Sequence, residues 1–212
     1  MRPPHNEQLP HPARRRTELK ETGLSTTLQQ EESNMKRATK FFRSDINFSD
    51  SLPGLSADSL HALLKADFPG REYFISLYSN QNGGYFDGGA YIHSEDLQER
   101  NPTDRDAFEL EAFNFIPTTE NEKSWRLLST AQVSKSREIH YKLSTTFLSH
   151  HIPFASDAGD NDFWLNTETG IISYTETEEL TSEPNAVLVA QDFQHFCDAI
   201  RGSLKPLTKN SG

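Results

Sequence analysis

The chain contains eight histidines and one cysteine, the side chains most often used for catalysis or metal binding. Cys197 stands two residues after His195, which on a helix places the two side chains about 200° apart around the axis. Cys197 shares the apolar face of the predicted helix with Phe193 and Phe196. We therefore interpret the cysteine as a small buried core residue and not as a nucleophile.

Three further histidines, His140, His150 and His151, are candidate metal ligands by residue type. Adjacent histidine side chains often diverge, and the sequence holds no second group of Cys or His at the spacing of a zinc site. The histidines are therefore interpreted as capping or packing residues, with metal binding kept as an alternative.

A carboxylate-rich turn follows Ser156, with aspartates at positions 157, 160 and 162 and glycine at 159. An EF-hand loop places its ligands at alternate positions and a glycine sixth, whereas the glycine here is third. Asp and Asn side chains also bond to nearby backbone N–H groups in turns. The pattern therefore predicts a hydrogen-bonded turn before a strand.

A second acidic stretch runs from Tyr174 to Leu180. One interpretation is a solvated strand edge, whose charges oppose aggregation. The other is an acidic surface that binds a basic partner. Under the second interpretation, the partner-binding residues are the carboxylates of both stretches: Asp157, Asp160, Asp162, Glu176, Glu178 and Glu179.

Common catalytic and nucleotide-binding motifs are absent from the sequence. It has no Gly-rich loop followed by Lys-Ser or Lys-Thr, no dinucleotide-type glycine triplet and no His-Glu-x-x-His. We therefore expect no enzymatic activity, no cofactor and no metal ion.

Local patterns predict the elements that carry these residues. Ser56 is a helix N-cap before residues 57–65, and Asp192 is one before residues 193–200. A second helix follows Pro69. Apolar and polar residues alternate over most of 108–116, as in a strand with one covered face. Residues 163–165 and 171–174 flank a Gly-containing loop and predict an antiparallel hairpin. Between residues 125 and 148, Trp125, Leu127 and Leu128 indicate a helix start. Ile139, Leu143 and Phe147 recur every four residues in the same region.

The composition divides the chain into two parts. Residues 1–40 contain 8 Lys and Arg against 5 Asp and Glu and no aromatic residue, whereas residues 41–212 contain 13 against 26, a net charge of −13. A segment with so few apolar side chains cannot offset the entropy lost on ordering. The sequence therefore predicts a disordered tail over 1–40 and one folded domain over 41–212.

Composition also indicates the cellular compartment of the protein and the classes of partner that it binds. A single cysteine indicates a reducing compartment, which predicts the cytoplasm. No apolar run reaches the roughly 18 residues of a membrane span. The net charge of −10 argues against direct nucleic-acid binding. The short basic run Arg14–Arg16 is interpreted as part of a solvated linker, with a nucleic-acid-binding or partner-binding arm as the alternative.

Four motifs follow one another within about residues 50–203: Phe68-Pro69-Gly70 before a helix with Asn82-Gly83-Gly84 behind it, Ile152–Asp157 with Gly159-Asp160, the hairpin Phe163–Ile172, and the helix sequence Val189–Phe196. The order and spacing of these motifs resemble the SUKH superfamily, which includes yeast Smi/Knr-type cell-wall regulators and many bacterial toxin-immunity proteins.

The resemblance implies an α+β domain in which helices pack on a curved antiparallel sheet and a C-terminal helix closes the fold. Members of the family are generally non-enzymatic and bind proteins. We therefore expect this chain to be an immunity protein. Its expected partner is a cognate toxin, such as a basic nuclease domain, which it neutralises by binding. The alternative is a scaffold or regulatory module of the yeast type, in which the tail recruits a further protein.

Overall fold

A computed structural model of the chain describes residues 40–43, 45–64, 66–96, 105–118 and 127–202. The predicted tail, residues 1–40, lies outside these ranges apart from Lys40, and its disorder stays a prediction. The described residues form helices and antiparallel strands, which confirms the predicted α+β class. Among them, no helix has the length and apolar character needed to cross a membrane.

Ten strands are present in the described part of the chain. They are Phe48–Ser49 (β1), Leu52–Pro53 (β2), Gln81–Asn82 (β3), Gly84–His93 (β4), Ala107–Phe113 (β5), His151–Ser156 (β6), Asp162–Asn166 (β7), Ile172–Thr175 (β8), Val187–Ala190 (β9) and Ile200–Arg201 (β10). The large antiparallel sheet has the order β1-β4-β5-β6-β7-β8-β9, with β10 also paired to β4, while β2 and β3 form a small separate sheet. Register shifts interrupt the pairs β4–β5, β6–β7 and β8–β9, and such bulges bend a sheet.

The helices of the described residues are Ala57–Leu63 (α1), Arg71–Asn80 (α2), Thr130–Tyr141 (α3), Thr145–His150 (α4) and Phe193–Ala199 (α5). The Ser56 Oγ accepts a hydrogen bond from the Ser59 N–H at 3.2 Å. The Asp192 Oδ1 accepts one from the His195 N–H at 2.9 Å. Both predicted N-caps are therefore confirmed.

The region between β5 and β6 differs from the sequence-based interpretation. Helix α3 begins at Thr130, because Ser129 and Gln132 form a capping box. It ends at Tyr141, and the C-cap residue Lys142 adopts a left-handed conformation with φ 61°. The four-residue spacing of Ile139, Leu143 and Phe147 therefore does not describe one helix, and Ile139 is 47% exposed. Trp125 lies outside the described residues.

Aromatic rings fill the core between the large sheet and helices α2 and α5. The Phe113 ring on β5 lies 5.1 Å from the Phe86 ring and 5.5 Å from the Phe154 ring. Helix α5 adds Phe193, whose ring lies 4.9 Å from the Phe74 ring of α2. Because edge-to-face pairs of this kind add to the stabilisation from burial, the core fixes the position of the sheet beneath the two helices.

Both ends of the described domain meet on the same strand. Phe48 of β1 pairs with Phe86 of β4, and Ile200 of β10 pairs with Ile92 of the same strand. Beyond β10, the Gly202 N–H donates to the Asp45 Oδ2 at 3.3 Å.

Candidate functional site

The turn over residues 157–162, called the acidic loop below, is organised around Asp157. Its Oδ1 accepts from the backbone N–H groups of Gly159, at 2.8 Å, and Asn161, at 3.0 Å. Its Oδ2 accepts from the Asn161 Nδ2 at 2.9 Å and the Tyr174 hydroxyl at 2.7 Å. Both oxygens of this buried carboxylate thus close the turn, which confirms the predicted hydrogen-bonded turn.

Asp162 and Asp160 share one arginine, Arg137 of α3. The Arg137 Nε donates to the Asp162 Oδ2 at 2.6 Å, and its Nη2 donates to the Asp162 Oδ1 at 3.1 Å. The same guanidinium donates to both carboxylate oxygens and the backbone carbonyl of Asp160. The guanidinium thus ties α3 to the acidic loop.

The ion pair between Arg137 and Asp162 is buried, with the two side chains 4% and 0% exposed. Burial raises the pKa of Asp162 to about 6, while Arg137 opposes that rise. Burial alone would lower the pKa of Arg137, but its bonds to Asp162 and Asp160 raise it above the usual arginine value. The pair is therefore a structural element of the domain interior.

The second acidic stretch is joined to the acidic loop. The Thr177 hydroxyl donates to the Asp160 carbonyl, and the Thr177 N–H donates to the Asn161 Oδ1 at 2.8 Å. Glu176 forms an ion pair with Arg105, whose guanidinium carbon lies 5.3 Å from the centre of the Tyr174 ring. The structure therefore brings the two predicted carboxylate stretches to one end of the β7–β8 hairpin.

The six predicted partner-binding residues differ in exposure. Asp157 and Asp162 are buried, and we assign both to the framework of the acidic loop. Asp160 keeps 62% of its side chain exposed despite its ion pair, and Glu176 keeps 34%. Glu178 and Glu179 are exposed in a short 3-10 turn. The partner-binding role of the exposed residues stays a prediction.

A second acidic surface, absent from the sequence-based prediction, lies on the face of the sheet opposite the aromatic core. Two adjoining cavities of about 400 and 130 Å³ form a groove there and share Tyr85, Glu111 and Ala158 in their walls. We define the acidic groove by its exposed carboxylates: Asp50, Asp87, Glu109, Glu111 and Asp160.

Neighbouring strands position the groove carboxylates. Glu109 of β5 pairs with Tyr91 of β4, so both lie on the same stretch of sheet. Asp87 is held at the rim, because its carboxylate accepts from Asn47 and Ser49 at 2.8 Å each. These two carboxylates therefore have defined positions on the groove.

Tyr85 forms part of the groove wall between the carboxylates. Burial raises the pKa of Tyr85, and the negative charges of Glu111 and Asp50 raise it further. The tyrosine is therefore neutral at physiological pH, and the negative charge of the groove comes from its carboxylates.

The sequence carried a partial signal for this surface. The alternation over 108–116 predicted a strand with one covered face, and Glu109 and Glu111 are its polar positions. The strand order β1-β4-β5-β6 then adds Asp50 after β1, Asp87 on β4 and Asp160 in the loop after β6, and that order is not encoded in any local pattern.

The comparisons with known proteins do not assign a family. No protein-family model matches the chain, and no curated protein matches it. The chain's own geometry therefore defines the candidate site.

Cys197 and His151 occupy packing positions, whereas His140 is exposed and the partly exposed His150 contacts the Glu168 carboxylate. Cys197 is fully buried beside Phe193 and Phe196, and burial raises the pKa of its thiol, which makes it a poor nucleophile. The His151 ring stacks on Phe147 at 3.9 Å. Among the described residues, no three His, Cys, Asp or Glu side chains are grouped so as to hold a metal ion.

A further cavity of about 230 Å³ lies beside β9 and α5. Its walls carry both signs of charge, and several of these charges are already paired. Arg201 pairs with Asp96, and the His195 Nδ1 lies 2.5 Å from the Asp192 Oδ2. The cavity therefore lacks the single sign of charge that characterises the acidic groove.

Proposed function

We propose that this chain is a non-enzymatic protein-binding domain that neutralises a toxin by covering a basic surface of it with the acidic groove. The α+β architecture, with helices on an antiparallel sheet and a C-terminal helix, agrees with what the resemblance to the SUKH superfamily leads us to expect. Fold-level likeness supports a class of function only, so the partner must be argued from the surface.

The observation that carries the proposal is the convergence of carboxylates from four separate segments of the chain. Asp50 follows β1, Asp87 lies on β4, Glu109 and Glu111 lie on β5, and Asp160 belongs to the acidic loop. A concave surface of one sign concentrates the electrostatic field and speeds encounter with a partner of opposite charge. A basic protein surface, such as that of a nucleic-acid-cleaving toxin, is such a partner.

The groove also offers contacts that are not ionic. Tyr85 presents part of its ring between the carboxylates, and Leu128 in the smaller cavity is 50% exposed. An arginine side chain can stack on a tyrosine ring while its guanidinium pairs with a carboxylate. We therefore propose arginine-rich segments of the partner as the contacting elements.

The proposal is tested by co-expressing the chain with a toxin encoded by an adjacent gene and measuring survival, co-purification and affinity. The double variant Glu109→Lys/Glu111→Lys reverses two charges of the groove. Asp67→Lys/Asp198→Lys is the matched control, because both aspartates are exposed, lie outside the groove and outside the predicted partner-binding residues, and undergo the same change in net charge. We expect the groove variant to lose affinity by at least about tenfold, equivalent to about 1.4 kcal/mol, and the control to lose less than about twofold.

Two results would contradict the proposal. An absence of both protection and complex would reject toxin neutralisation. Equal losses in the two double variants would show that net charge, and not the groove, determines binding. Deletion of residues 1–40 provides a further comparison. If this deletion alone abolishes binding of the partner, the scaffold or regulatory alternative is favoured.

A further inference from the structure

His151 joins three elements of the fold. It is the first residue of β6, directly after the last residue of α4. Its Nδ1 lies 2.8 Å from the carbonyl oxygen of Phe147, and its Nε2 lies 3.1 Å from the Nδ2 of Asn166 at the end of β7. One imidazole therefore connects α4 with the turn of the β7–β8 hairpin.

The two partners determine where the imidazole carries its proton. A carbonyl oxygen only accepts a hydrogen bond, so the Nδ1 of His151 must donate to Phe147. An amide NH₂ group only donates, so the Nε2 of His151 must accept from Asn166. Both bonds are satisfied only by the neutral ring with its proton on Nδ1.

The orientation of the Asn166 amide is set by the hydrogen bonds that its side-chain oxygen accepts. Its Oδ1 accepts from the backbone N–H groups of Glu168, at 2.9 Å, and Thr169, at 3.0 Å. Rotating the amide to present its oxygen to a protonated His151 would place the NH₂ group against these two donors. Asn166 therefore cannot satisfy the turn and a protonated imidazole at the same time.

We propose that His151 and Asn166 form a proton-operated latch, which holds the β7–β8 turn when the imidazole is neutral and loosens it on protonation. The turn also packs against the entry to α2, since a Cβ on Gly170 would lie 2.5 Å from the Pro69 carbonyl oxygen. Release of the turn therefore reaches α2 as well as the hairpin. The latch is separate from the acidic groove and does not depend on the proposed function.

The charged groups that face the His151 ring are His150, at the end of α4, and Glu168, in the turn. His150 has its Nδ1 3.0 Å from the Glu168 Oε1. Burial and then His150 lower the pKa of His151, against the opposing effects of the Phe147 carbonyl and Glu168. The stability that the latch supplies is complete above the pKa of the unfolded chain, about 6.5, and is lost as the pH falls towards the lower folded value.

The test follows the histidine rings and the backbone amides of the full-length chain by NMR between about pH 4 and 8. We expect the neutral His151 ring to show the Nδ1–H tautomer and to titrate below the ordinary histidine value of about 6.5. The amide signals of Glu168 and Thr169 should shift with the same midpoint, because their acceptor is released in the same step.

Asn166→Asp reverses the latch while keeping the turn. One carboxylate oxygen can accept from the two backbone donors and the other from a protonated Nε2, so the pKa of His151 should rise by about one unit or more. His150→Gln is the matched control, since it removes a neighbouring imidazole and leaves the two bonds of His151 in place. In that variant the amides of Glu168 and Thr169 should still follow His151.

Two outcomes would overturn the latch. The first is a wild-type titration in which the two amides do not follow His151, and this measurement requires no variant to fold. The second is an unchanged His151 midpoint in Asn166→Asp.

Discussion

The acidic loop and the acidic groove use the same kind of side chain for opposite purposes. In the loop, Asp157 and Asp162 are buried, and their oxygens accept hydrogen bonds from four neighbouring residues: Gly159, Asn161, Tyr174 and Arg137. In the groove, Glu109 and Glu111 are exposed and make no ion pair with any described residue. A dense run of carboxylates in a sequence therefore does not measure the negative charge that a partner can reach.

The strongest test of this contrast removes the cation of the loop. Arg137→Ala leaves Asp162 buried without its partner, which should lower the free energy of unfolding by about 3–5 kcal/mol. Lys135→Ala is the control on the same helix, because its ion pair with Glu138 is exposed and should contribute less than about 1 kcal/mol. Urea denaturation measures both, and equal losses would show that the loop ion pair has no special structural role.

The second test uses pH. Because the pKa of Asp162 is raised to about 6 in the folded state, the folded chain holds this proton more tightly than the unfolded chain. The contribution of Asp162 to stability is therefore complete below pH about 4 and is lost as the pH rises through about 6.

We expect the difference in unfolding free energy between wild type and Asp162→Asn to fall over this pH range and to level off above it. Denaturation at a series of pH values measures it. A difference that is constant with pH would mean that Asp162 titrates alike in the folded and unfolded chains.

The smallest effect on stability is expected in the groove. Glu109→Lys/Glu111→Lys should change the free energy of unfolding by less than about 1 kcal/mol, because exposed side chains without close partners contribute little. Thermal denaturation of the free domain measures this change. A larger destabilisation would mean that these glutamates stabilise the fold, as Asp157 and Asp162 do in the acidic loop. The double variant would then be a poor probe of binding.

Local signals predicted local structure well. The caps Ser56 and Asp192, the hairpin around Gly170 and the buried stripe of α5 each depend on residues within a few positions of one another, and the structure confirms them. The helix start near Leu127 was placed too early, because the capping pair Ser129 and Gln132 outweighs the apolar spacing.

Non-local pairing determined what sequence patterns could not show. Arg137 lies 25 positions from Asp162 in the chain. No local spacing rule could therefore show that Asp162, one of the predicted partner-binding residues, pairs with this arginine in the interior. The acidic groove likewise depends on the order β4-β5-β6, which places Glu111 near Asp160. Exposure therefore divides the predicted carboxylate stretches into buried framework residues and surface residues, and the partner-binding role of the surface residues stays a prediction.

The pairing of β1 and β10 with one strand has a consequence for protein engineering. Asp45 and Gly202 are joined by a hydrogen bond although 157 positions separate them in the chain. Domains whose ends meet in this way tolerate circular permutation and insertion into a host protein. A short linker from residue 202 to residue 45 would convert this long-range hydrogen bond into a local contact, and the domain could be carried as an insert in a surface loop of another protein.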